Sequence, residues 1–65
     1  MKVYWVSGTI HDDFGADRRD LYIMAENAGN ARNLYRKHFK DIDRTALVVI
    51  HVLLEMDETK ERVLL

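Results

Sequence analysis

The sequence predicts an α+β fold: a single small ββαβ domain over residues 1–65, with one helix packed on one face of a three- to four-stranded sheet. Three observations carry that expectation. Two runs rich in β-branched and aromatic residues precede residue 27. Apolar residues then recur at steps of three and four up to residue 42. A second β-rich run, TALVVIHVLLEM, occupies residues 45–56.

Residues 2–10 form the first expected strand. Alternation puts Val3, Trp5, Ser7 and Thr9 on one face and Tyr4, Val6, Gly8 and Ile10 on the other. The stretch HDDFGADRR at 11–19 reads as a long loop, because aspartate and glycine favour turns. Strand character returns at 20–25, with Leu21, Ile23 and Ala25 sharing a face and Tyr22 and Met24 opposite. Asn27 is suited to cap a helix over 28–40, whose apolar stripe is Ala28, Ala31, Leu34, Tyr35, His38, Phe39 and Ile42. In the last strand Ala46, Val48, Ile50, Val52, Leu54 and Met56 alternate with Thr45, Leu47, Val49, His51, Leu53 and Glu55. Both sets are largely apolar, as in a strand covered on both sides. DETK then offers a turn, and residues 61–65 an extra short C-terminal strand or a frayed helical turn. A helix linking two strands of one sheet crosses right-handed in nearly all cases, and if the third strand runs parallel to the second, the first has room between them.

Composition narrows the function classes. Hydrophobic residues make up 48% and charged residues 32%, the mix of a folded chain. Cysteine is absent, which excludes disulfides and thiolate chemistry. No apolar run approaches the ~20 residues of a bilayer span, and MKVYWVSGTI lacks the pattern of a secretion signal, so the expected location is the cytoplasm. A domain of this size leaves little room for a concave catalytic pocket. No nucleophile–base pair, metal-ligand set or phosphate loop stands out, and the expectation is a non-enzyme with no cofactor and no metal.

The apolar content exceeds what one helix can cover. Whichever sheet face points inward, the other keeps several of Tyr4, Val6, Ile10, Tyr22, Met24, Leu47, Val49 and Leu53. A contiguous apolar patch beyond a few hundred Å² marks an interaction surface, so the expected partner is a protein: a second copy, a host protein, or both. Charge is uneven. Residues 28–44 hold five cations against two carboxylates, and residues 9–26 hold two cations against five carboxylates. Arg32, Arg36 and Lys40, with Lys37 beside them, form a stripe able to meet phosphates or simply a solvated helix face. Asp12, Asp13 and Asp17 are turn residues that can also present negative charge to a basic partner. The net charge of -1 does not favour a dedicated nucleic-acid binder.

Val6-Ser7-Gly8 in the first strand, Ala25-Glu26-Asn27 leading into the helix, and Leu34-Tyr35 ahead of a basic helix end resemble the archaeal ribosomal LX domain. The same strand–AEN–helix order resembles small accessory proteins of bacteriophages and mobile elements. The first resemblance implies an RNA- or ribosome-associated module using the basic helix face. The second implies an inhibitory, anti-defence type of protein that acts by steric docking. Neither carries over a site residue.

Overall fold

The computed structural model describes residues 1–56. Strand β1 (Lys2–Asp12) and strand β2 (Gly15–Ala25) form an antiparallel hairpin closed by Asp13 and Phe14. The loop expected over 11–19 is therefore a two-residue turn. The Asp12 carboxylate accepts from the Phe14 backbone N–H at 2.8 Å, and Gly15 takes φ +132°, a conformation side chains disfavour. The charges at 17–20 belong to β2, an edge strand, where charge discourages pairing with another chain's edge. Polarity that reads as loop in the sequence is edge polarity.

Helix α1 (Ala28–Ile42) follows, two residues longer than expected. The Asn27 side chain accepts from Asn30 N–H at 2.8 Å, the capping bond its residue type forecasts. At the other end Asp43 donates its N–H to the Phe39 carbonyl. The Asp43 carboxylate accepts from the Thr45 hydroxyl (2.8 Å) and the Thr45 backbone N–H (3.0 Å), which together hold its pKa below the ordinary aspartate value. Strand β3 (Leu47–Met56) then pairs antiparallel with β1. The order is β2-β1-β3, so β1 lies between two parallel neighbours that α1 connects. The extra strand or helical turn expected over 61–65 lies outside the described residues.

The core sits between α1 and one sheet face. Tyr4, Val6 and Ile10 of β1, Ile23 and Ala25 of β2, and Val48 of β3 meet Ala31, Tyr35 and Phe39, with Leu21, Ile50 and Leu53 partly covered. The buried stripe of α1 is narrower than the periodicity suggests: Leu34, His38 and Ile42 remain exposed. Tyr35 has no exposed surface, and its hydroxyl donates to the Arg19 carbonyl at 2.8 Å. Gly8 makes that possible. A Cβ there would lie 2.8 Å from the Tyr35 oxygen and collide with the Val49 carbonyl.

Strand β3 does not keep its alternation. Ser7 pairs with Val52 and Gly8 with Ile50, leaving His51 as an extra residue in a β-bulge. The bulge exchanges the faces. Val48 and Ile50 point toward the helix, and beyond His51 that role passes to Leu53, while Val52, Leu54 and Met56 turn to the other side.

Candidate functional site

The strand register maps the sheet face away from the helix. Central β1 contributes Val3, Trp5, Ser7, Thr9 and His11. Edge strand β2 places Met24, Tyr22, Asp20, Arg18 and Ala16 opposite them in that order. The other edge, β3, places Met56, Leu54, Val52, Val49 and Leu47 beside the same β1 residues. One end of this face is thus wholly apolar or aromatic, and the β3 column is apolar except at the bulge, where His51 stands beside Thr9. Met24 is 61% exposed, Leu54 53% and Tyr22 49%.

The remaining corner is polar and internally bonded. Ser7 is fully buried; its hydroxyl donates to Asp20 at 2.5 Å and accepts from Arg18 Nε at 3.1 Å. Arg18 also lies 3.8 Å from the Asp20 carboxylate. Thr9 Oγ1 and His51 Nε2 are 2.8 Å apart, so the bulged histidine ties β3 to β1. The Ser7 hydroxyl has no exposed surface on which a substrate could land, so its carboxylate contact is structural. Trp5 Nε1 is buried without a hydrogen-bond partner among the described residues.

The expected interface residues divide between the two sides of the sheet. Tyr22, Met24, Leu47 and Val49 are exposed on the far face. Tyr4, Val6 and Ile10 lie buried beneath the helix instead, and Leu53 packs against that core from the same side, partly covered, so none of these four belongs to the far face. Sequence alternation separates the faces of β1 and β2 but does not say which one points inward. It also misses Trp5, Val52, Leu54 and Met56 as far-face residues, the last three because of the bulge. The Ser7–Arg18–Asp20 cluster is hidden too; a two-residue turn at Asp13-Phe14 is the signal that pairs Ser7 with Asp20.

Arg32, Arg36, Lys37 and Lys40 are exposed on α1, and none has a carboxylate within ion-pair distance among the described residues, where the ion pairs are Lys2–Glu55 and Arg18–Asp20. Asp13 and Asp17 are exposed at the hairpin tip, and Asp12 is half-buried there. A groove of about 380 Å³ separates β2 from the C-terminal half of α1, with Leu21, Phe39 and Ile42 among its apolar walls and Asp12, Asp17, Arg19 and Asp43 around them. The Asp12 and Asp43 carboxylates in it are already engaged by their own turns. No group of three or more metal-ligating side chains occurs among the described residues, and no helix among them is long and apolar enough to cross a membrane. No protein-family model, no curated protein and no solved structure matches the chain.

Proposed function

We propose that this chain is a non-catalytic protein-binding domain that docks through the sheet face opposite its helix. One observation carries the reading: a contiguous apolar surface of Val3, Trp5, Tyr22, Met24, Leu54 and Met56 faces away from the only described helix. Burying such a surface against a partner is the largest favourable term open to so small a domain. The mode of action is steric occupation of a partner's surface, which suits a small accessory or inhibitory protein of the bacteriophage type. A cysteine-free chain suits a reducing cytoplasm.

The test immobilises the protein and challenges it with lysate of its source organism. Leu54→Ser with Tyr22→Ser is expected to abolish capture, while Arg36→Gln with Lys40→Gln leaves it intact. The opposite pattern, or capture that ignores both pairs, overturns the reading. The exposed cations of α1, without a carboxylate partner among the described residues, favour a second reading, an RNA-associated module. It requires RNA affinity that falls steeply with salt, and absence of binding at low salt removes it.

A further inference from the structure

The helix side of the sheet carries a second surface, separate from the docking face. Asp17, Arg19 and Leu21 share that side of β2, opposite Ile10, Gly8 and Val6 of β1. Between them and the C-terminal half of α1 runs the groove of about 380 Å³. Its walls are mostly hydrocarbon, from Ile10, Leu21, Phe39 and Ile42, and Ile42 is 74% exposed. The charges around this hydrocarbon are one-sided. Asp12, Asp17 and Asp43 stand against the guanidinium of Arg19, with His38 beside them. Asp20 also lines the groove, but its carboxylate is bound to Ser7 on the far face. Lys40 neighbours Asp43 without lining the groove. The negative end of the α1 dipole adds to the carboxylates. An anion is repelled here, and a metal ion gains nothing from hydrocarbon walls. The walls and the charge together call for a cation on an apolar stem.

The bonding of the carboxylates narrows the cation. Asp12 Oδ1 accepts from the Phe14 N–H, and Asp43 Oδ1 accepts from both Thr45 donors. Each carboxylate keeps its second oxygen free of bonds among the described residues, and Asp17 makes no bond among them. A guanidinium is best matched by two free oxygens of one carboxylate, whereas an ammonium takes single oxygens from several groups. The donor set therefore suits an ammonium. The groove is also open to solvent rather than enclosed, while small-molecule sites bury roughly 70–90% of their ligand. A larger molecule must then deliver the stem and its charge. We propose that the groove between β2 and α1 receives a lysine side chain of a partner protein, the stem lying on Leu21, Phe39 and Ile42 and the ammonium among Asp12, Asp17 and Asp43. This site stands whether or not the far face docks a protein.

The experiment is an NMR titration of the full, isotope-labelled chain with the blocked peptide acetyl-Leu-Lys-Leu-amide. Saturable shifts are expected at the backbone amides of Asp17, Leu21, Phe39 and Asp43, weakening as salt is added. The norleucine peptide keeps the stem and lacks the ammonium, and is expected to leave those amides in place. The arginine peptide is expected to bind more weakly than the lysine peptide. Asp17→Asn should weaken binding about twofold to fivefold, the worth of one exposed pair, and Asp17→Lys should remove it. Asp17 is exposed and makes no bond among the described residues, so both variants keep the fold, which the same spectra verify. No shift at about 10 mM peptide overturns the proposal. So does an equal response to the norleucine peptide, tighter binding of the arginine peptide, or binding that survives Asp17→Lys. Shifts centred on Trp5, Tyr22 and Leu54 move the contact to the far face and overturn it. An equal response to free n-butylamine assigns the groove to small amines, and loss of the same amide positions on Lys60→Gln without peptide assigns it to this chain's own lysine. Either result overturns the partner. The capture experiment tests the docking reading separately, because its variants lie on the opposite face.

Discussion

The two faces of this sheet differ in how they are completed. Toward α1, small and large residues interlock: Gly8 leaves space, Tyr35 fills it, and the phenol finds the Arg19 carbonyl at 2.8 Å. Away from α1, side chains of comparable hydrophobicity have no covering element among the described residues, and Met24, Leu54 and Tyr22 stay about half exposed or more. The polar groups follow the same division. The Tyr35 hydroxyl serves the packing of the helix. Ser7, Arg18 and Asp20 bond one another within the far face. One face is covered by the helix, whereas the other lies open among the described residues.

The largest effect is expected on the covered face. Tyr35→Ala removes a fully buried ring and is expected to cost about 3–5 kcal/mol. That approaches the whole stability of a domain this size, at roughly 0.05–0.15 kcal/mol per residue, so urea titration should find the chain largely unfolded in buffer. Gly8→Ala comes next, at roughly 2–3 kcal/mol from overpacking, seen as a lowered urea midpoint. Tyr35→Phe keeps the ring and leaves the Arg19 carbonyl without its donor, a loss of about 1–2 kcal/mol.

The same residue predicts a pH dependence. Burial, and then the nearby Asp20 charge, push the Tyr35 hydroxyl above the ordinary tyrosine value, with the Gly8 backbone hydrogen bond opposing. The folded state therefore holds this proton more tightly than the unfolded state. Its contribution is complete below about pH 10 and is lost as pH rises from there through the folded value. Melting temperatures measured across that range should fall for the wild type and flatten for Tyr35→Phe. The smallest effect belongs to the open face. Leu54→Ser is expected to change the stability of the dilute chain by no more than about 0.5 kcal/mol, while weakening association.

Much of this contrast is legible in the residues. Asn27 and the spacing of Ala31, Tyr35 and Phe39 mark the helix, and the alternation of β1 separates Tyr4, Val6 and Ile10 from Val3 and Trp5. Two features are not legible. Asp17 to Asp20 resemble a loop because an edge strand and a loop share the same solvent. The bulge at His51 depends on how β3 meets Ser7 and Gly8 across the sheet, a long-range fit that local periodicity does not record. That bulge brings Val52, Leu54 and Met56 onto the far face, so the interface set expected from sequence mixes core with surface.

Trp5 is the single tryptophan of the chain and stands in the middle strand of the far face, beside Tyr22 and Leu54. Its fluorescence, followed with acrylamide quenching as the protein captured from lysate is added and that protein's own emission is subtracted, reads the cover on that face directly. A partner seated there predicts emission that shifts to the blue and resists quenching. Emission and quenching that stay constant through the titration contradict it.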